Sequence, residues 1–192
     1  TPIASRTSME LALRRIGQQM NPESDVLFLY MTSHGLPNQF EMENAPLELQ
    51  QVDPKWLRDA LDKSGIRWRV IVISACYSGS FVSALQNDNT LVITASAADR
   101  ASFGCSNEAD YTYFGRAFFD QAMRENNSFA EAFAQAKLTV AKWEQAQGFE
   151  PSEPQWSMGK NMQLMLPQLE QRLFPQAMVA QPNEMPLTLD SP

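Results

Sequence analysis

The sequence is poor in the residues that most often carry chemistry. Its 192 residues hold one histidine, His34, and two cysteines, Cys76 and Cys105. Two cysteines are too few for a disulfide framework, and neither stands in the paired spacing of a zinc site. One histidine with no carboxylates clustered around it leaves too few ligands for a metal centre, so no metal is expected. Basic runs are lacking too. Fifteen Lys and Arg against 22 Asp and Glu give a net charge of −7, with nothing longer than Arg14-Arg15, which argues against nucleic acid or an anionic membrane as partner. No stretch approaches the roughly 18 consecutive apolar residues of a membrane span, and Thr1 opens no charged-then-apolar signal peptide. Ser33, Ser74, Ser78 and Ser80 are close together in places, but none sits in a Gly-x-Ser-x-Gly elbow. The chain opens on Thr1 instead of Met and reads as a fragment whose upstream part holds any targeting segment, so the compartment stays open.

What is present is an ordinary globular composition, 44% hydrophobic, enough for one domain with a sizeable core. Thr7-Ser8-Met9-Glu10 fits a capping box, after which Met9, Leu13, Ile16 and Met20 recur at helical spacing until Asn21-Pro22. Residues 25–33 and 67–74 are apolar runs that read as buried strands, and 90–95 is a third. Between the first two lie a Pro- and Glu-rich loop over 36–52, long enough to be functional, and a helix running from Asp53-Pro54 to Ser64-Gly65. A short helix follows Cys76, and residues 111–126 form another, with Phe114, Phe118 and Met123 among its apolar positions. Ser128-Phe-Ala-Glu131 is a second capping box, opening a helix to about Gln147. Residues 155–158 read as a short last strand. The sequence divides into a domain over 1–166 and a tail over 167–192, interrupted by Pro167, Pro175, Pro182, Pro186 and Pro192, whose last residues, about 15, are expected to be poorly ordered or draped on a neighbour. Strands alternating with helices, and strands of continuous Val, Ile and Leu, predict an α/β fold with a parallel sheet covered on both faces. Trp56, Trp68, Trp143 and Trp156 are read as core or half-buried rim.

Two stretches concentrate the chemistry: Asp25-Val-Leu-Phe-Leu-Tyr-Met-Thr-Ser-His34-Gly35 and Arg69-Val-Ile-Val-Ile-Ser-Ala-Cys76-Tyr-Ser-Gly79. Each apolar run delivers one reactive side chain as it stops, and ligand sites of parallel sheets collect outside the carboxyl ends of the strands. Alone, a strand-end Cys is a buried thiol and a strand-end His a satisfied imidazole. Together they make a nucleophilic cysteine site, because a thiol needs a nearby imidazole to react as thiolate near neutral pH. Gly35 and Gly79 allow close backbone approach, and the Gly35 and Cys76 amides can form an oxyanion hole, worth about 2.7 to 4 kcal/mol per donor. Cys105, within Ser-Phe-Gly-Cys-Ser, is read as structural.

Strand-His34-Gly35 followed, 42 residues on from the histidine, by Ser74-Ala-Cys76-Tyr-Ser-Gly-Ser80 resembles the caspase-like cysteine peptidases, and within them the legumain-type family C13, including its bacterial members. A third block, Ile93-Thr-Ala-Ser-Ala-Ala-Asp-Arg-Ala-Ser-Phe-Gly-Cys105 with Tyr111-Thr-Tyr-Phe-Gly115, resembles the legumain stretch around the substrate pocket and brings in Ser96 and Ser102 as substrate-binding candidates. The similarity covers residues 7 to about 160. It implies a caspase-like three-layer α/β/α sandwich and hydrolysis of peptide bonds in a protein or peptide substrate, which calls for no organic cofactor. Cys76 would be the nucleophile, His34 the proton donor and acceptor, and the Gly35 and Cys76 amides the oxyanion hole. In that fold a strand precedes the first helix, and nothing before Thr7 can supply it, so the first strand is expected to be missing and its place filled by another segment or left open. Where legumain has acidic pocket residues, one two places before the nucleophile and one after the Tyr-x-Gly turn, this sequence has Ser74 and Arg116. A guanidinium there favours an acidic side chain at the cleavage site over asparagine; the other reading of Arg116 is a solvated helix residue. Transpeptidation by the same acyl-enzyme and a catalytically inactive protein-binding scaffold are the rival functions. Asn126-Asn127 is a candidate nick site, and the oligomeric state is left open.

Overall fold

The computed structural model describes residues 3–104 and 111–175. In chain order the elements are α1 (Arg6–Gln19), β1 (Val26–Thr32), the two-residue strands β2 (Gly35–Leu36) and β3 (Gln39–Phe40), α2 (Pro54–Lys63), β4 (Trp68–Ser74), α3 (Val82–Leu85) and β5 (Thr90–Thr94). There follow α4 (Tyr113–Gly115), a π-helical segment (Arg116–Ala122), α5 (Met123–Glu125), α6 (Phe129–Gln147), β6 (Gln155–Met158) and α7 (Met162–Leu173). The main sheet has the order β1-β4-β5-β6. β1, β4 and β5 run parallel and β6 runs antiparallel to β5.

All seven residues of β4 and all five of β5 are buried, as expected for central strands covered on both faces. Their alternation splits the core. Val70, Val72, Leu91 and Ile93 meet Phe114, Phe118, Ala132 and Met162 on one face; Ile71, Ile73 and Val92 meet Leu57, Leu61 and Phe81 on the other. Three layers result, which is the caspase-like α/β/α arrangement expected from the sequence. Arg69 is the exception in β4. Its guanidinium is buried, and it donates to the Leu61 and Ile66 carbonyls and to Asp62, closing the carboxyl end of α2.

Several local readings need correction. β1 is not a fully buried strand: Phe28 and Tyr30 are 42% and 41% exposed, because among the described residues β1 is an edge strand bonded only to β4. The first helix starts upstream of the expected capping box, with the Ser5 hydroxyl as N-cap accepting the Ser8 N–H at 3.2 Å and α1 starting at Arg6. At the second, Ser128 is the N-cap residue but its side chain caps nothing. Instead Glu170 of α7 accepts the Phe129 N–H at 2.7 Å, a cap from a distant residue that local spacing cannot reveal. The helix expected over 111–126 is π-helical through Arg116–Ala122. Residues 167–173 of the expected Pro-interrupted tail are helical: α7 runs through Pro167 to Leu173 and buries Met162, Met165 and Leu166. The last residues of the tail, and Cys105, lie outside the described residues.

α2 begins as the sequence predicts, with Asp53 accepting the Trp56 N–H at 2.8 Å and Pro54 in the first turn. That backbone bond is the main reason the Asp53 carboxyl titrates below the ordinary carboxylate range; partial burial opposes it and Arg6, 2.7 Å away, assists. A lowered folded pKa means the stabilisation is full above the ordinary carboxylate pKa and fades as the pH falls through the folded value. Asp53→Ala is therefore expected to cost about 1 kcal/mol at neutral pH, the usual worth of a side-chain cap, and less in acid. Urea unfolding of both chains at neutral and acid pH checks this.

Candidate active site

β1 and β4 pair in parallel register as far as Thr32 opposite Ser74. The Ser33 N–H then reaches the Ser74 carbonyl at 3.4 Å. Two residues past each end of this ladder stand His34 and Cys76, so equal offsets from one register bring them to the same rim of the sheet. The approach is close: a Cβ built on Gly35 would lie 2.4 Å from the Cys76 carbonyl oxygen and 3.2 Å from the Ala75 Cβ. Only glycine fits there. His34 is exposed and Cys76 half-buried.

A small hairpin fixes the histidine. The His34 carbonyl accepts the Glu41 N–H at 3.0 Å, β2 and β3 pair Gly35 with Phe40, and the Phe40 N–H and carbonyl bridge to Val52 at 2.8 and 3.0 Å. The expected 36–52 loop is thus partly ordered by strand pairing. At the hairpin tip the Asn38 N–H donates to Ser80 Oγ at 3.0 Å, and Ser80 Oγ donates to the Tyr77 carbonyl at 2.6 Å. The histidine's hairpin is in this way tied to the turn that follows the cysteine.

That turn is strained. Tyr77 takes φ +56° and ψ 18°, the left-handed region, which costs a non-glycine residue of order 1 kcal/mol and persists where surroundings impose it. Here the Tyr77 N–H is held by the Arg100 carbonyl at 2.8 Å and its own carbonyl by the Ser80 N–H at 3.0 Å. Gly79 packs against the 96–98 backbone so tightly that a Cβ would meet the Ala97 carbonyl carbon and Ala98 nitrogen at 2.6 Å. The sulfur faces Ser102. Cys76 Sγ donates to the Ser102 carbonyl at 3.2 Å, accepts the Ser102 N–H at 3.3 Å and has the Ser102 hydroxyl 3.8 Å away.

The other candidates from the sequence fall into two groups. Ser102 touches the thiol, and Arg116 is exposed at the start of the π segment, its guanidinium 5.7 Å over the Trp143 ring. Arg116 makes no ion pair among the described residues. Ser74 and Ser96, expected to touch substrate, are fully buried and face the framework instead. Ser74 Oγ lies 2.8 Å from Thr112 Oγ1, which also accepts the Gly115 N–H and so caps α4. Ser96 Oγ donates to the Ala75 carbonyl and accepts the Ser78 N–H, pinning the turn after Cys76. Both serines brace the framework around Cys76.

Sequence reasoning did not foresee how the aromatic side chains beside Ser102 pair. Phe103 stacks on Phe149 at 4.3 Å, and Tyr113 lies edge-on to Trp143 at 5.6 Å. The Tyr113 N–H donates to the Phe103 carbonyl at 3.0 Å, joining the two pairs. Phe103 and Tyr113 lie in the third block quoted from the sequence and Trp143 is the half-buried rim residue expected, but Phe149 and the pairings themselves join segments scattered across 103–149 that no local pattern connects. Among the described residues no group of three or more His, Cys, Asp or Glu side chains is placed to hold a metal ion, and no helix is long and apolar enough to cross a membrane.

A family model described as the peptidase C13 family matches residues 15–165, a span that holds all the residues just described. No curated protein matches the sequence. Among solved structures the chain is similar to caspase-1 from Spodoptera frugiperda, with a TM-score of 0.58 over 82% of this chain and 69% of that one. At 11% identity this likeness concerns the fold alone.

Proposed function

Because the chain belongs to the peptidase C13 family, we propose that it is a cysteine endopeptidase in which Cys76 attacks the substrate carbonyl and His34 moves the proton. The family and the fold are those of cysteine peptidases. One observation supports the assignment of roles above the rest: the His34-Gly35 backbone is pressed against Ala75-Cys76, at 2.4 Å for a Cβ on Gly35, by strands ending in matched register.

In the first half-reaction the thiol proton passes to the His34 imidazole and Sγ bonds to the carbonyl carbon. The tetrahedral oxyanion is held by the Gly35 and Cys76 N–H groups, and breaking the C–N bond releases an amine that takes the proton from His34. Water, losing a proton to His34, then attacks the thioester, and the proton returns to the departing sulfur. An amine in place of water gives transpeptidation by the same steps.

For specificity, the reading is an acidic residue on the acyl side of the cleaved bond. Arg116 supports it: exposed, without an ion pair among the described residues, and propped over Trp143. Ser102, hydrogen-bonded to the sulfur, is the serine placed to meet substrate; Ser74 and Ser96 act from behind it, through the framework. Arg116→Glu is expected to lower kcat/KM for an acidic residue at the cleavage site by about tenfold or more, and to raise it for Lys or Arg, as a reversed charge at a recognition site should. A peptide library digested with both chains tests this. Abundant cleavage after Asn with none after Asp or Glu in the parent chain refutes the acidic preference, and loss of all cleavage in the Cys76→Ala chain supports the peptidase reading itself.

A further inference from the structure

Glu144 lies in the last turns of α6, and it is only 2% exposed. A carboxylate in such a place needs partners to offset its lost hydration. Its Oε2 accepts the Ser152 N–H at 3.1 Å, and its main-chain carbonyl accepts the Phe149 N–H at 2.9 Å. These two bonds fold residues 148–152 back beside the helix end. Glu144 Oε1 and Ser152 Oγ are both buried at this point with no hydrogen-bond partner among the described residues. An under-satisfied buried acid is a poor choice for stability alone, since an apolar side chain of similar size avoids the desolvation cost.

The folded-back segment grips the loop after β5 in three places. The Ser152 carbonyl accepts the Ala97 N–H at 2.8 Å. Phe149 stacks on Phe103, with ring planes 11° apart. Glu150 lies 3.6 Å from Arg100, an exposed pair of little worth by itself. The gripped loop in turn holds the nucleophile, through the Arg100 carbonyl on the Tyr77 N–H and through Ser102, whose carbonyl accepts from the Cys76 thiol and whose N–H donates to it.

We infer that Glu144 is a positioning residue for Cys76: by anchoring the 148–152 bracket it fixes the 97–103 loop, and through Tyr77 and Ser102 it aims the sulfur. This rests on Cys76 being the nucleophile, as proposed above.

The test compares the whole chain with Glu144→Ala, Glu144→Gln, Phe149→Ala and Val140→Ala. The last is a control as buried as Glu144 and one turn earlier on the same helix. Peptide cleavage gives kcat and KM. Iodoacetamide labelling of Cys76, followed by peptide mass mapping across about pH 5 to 9, reads the thiol directly and needs no substrate. Glu144→Ala and Phe149→Ala are expected to lower kcat about tenfold with KM little changed, and to alter the pH profile of labelling. Glu144→Gln keeps an oxygen for the Ser152 N–H and should restore most of both. Val140→Ala should lower Tm and move neither. Wild-type kcat and labelling in Glu144→Ala overturn the inference, as does an equal effect of Val140→Ala. Should Glu144→Ala fail to fold, Phe149→Ala decides, because that ring is 41% exposed and its removal leaves the core intact. If the parent chain cleaves nothing while the labelling profile responds as described, the peptidase reading falls and the positioning role stands.

Discussion

Cys76→Ala is expected to keep its fold and lose peptide cleavage by a factor on the order of 10⁴ or more, as removal of a covalent nucleophile does elsewhere. That is about 5.5 kcal/mol of barrier, far more than any packing change at one half-buried side chain can supply. His34→Ala should fall by about 10² to 10⁴, the span of general acid-base catalysis, and should differ in kind. With the imidazole gone the sulfur depends on its own ionisation, so residual activity climbs steadily into alkaline pH where the parent levels off. Incubation of each chain with a diverse unfolded protein mixture, and mass spectrometry of the new termini, measures both. Cleavage at parental rate in Cys76→Ala overturns the nucleophile assignment; a His34→Ala profile parallel to the parent's overturns the role of the imidazole.

Gly35→Ala is expected to be nearly as damaging while leaving cysteine and histidine in place. The added methyl would sit 2.4 Å from the Cys76 carbonyl oxygen, 3.2 Å from the Ala75 Cβ and 3.3 Å from the Gln39 carbonyl oxygen. Two of these are backbone atoms and the third is the first side-chain carbon, so none can rotate away. The β2–β3 hairpin must lift instead, taking with it the Gly35 N–H and the His34 backbone. Loss of one oxyanion donor alone lowers kcat by about 10² to 10³. Leu36→Ala, on the same hairpin but exposed, should leave kcat within about twofold, as surface changes usually do. Steady-state kinetics with the melting temperature of each chain separates the two. A Gly35→Ala chain with parental kcat means that this backbone approach plays no part in the reaction.

The sequence was most legible where physics is local. Continuous apolar runs identified β4 and β5, because a strand covered on both faces has no polar face to alternate. Strand ends brought His34 and Cys76 to one rim of the sheet, because parallel register puts such ends together whatever the loops do. Asp53-Pro54 announced its helix through a bond only three residues long. It was least legible where the deciding contact spans the chain. Glu170 capping Phe129, Thr112 meeting Ser74 and Phe149 stacking on Phe103 are pairings between segments whose spacing carries no period. β1 misled for a related reason: Phe28 and Tyr30 belong to an apolar run, but how deeply a run is buried depends on how many neighbours its strand has. Tyr77 gave no sign of its left-handed backbone, since that conformation is imposed by Arg100 and Ser80 instead of by the residue itself.

The unequal neighbours of β1 and β4 divide the labour of the site unevenly. The cysteine stands on a strand clamped from both sides, among the last parts of the sheet to open. The histidine stands on a strand held along one edge among the described residues, with two half-exposed rings on its face. On the proposed roles of His34 and Cys76, cleavage is therefore expected to fade on warming before the fold melts, with its heat tolerance set by β1.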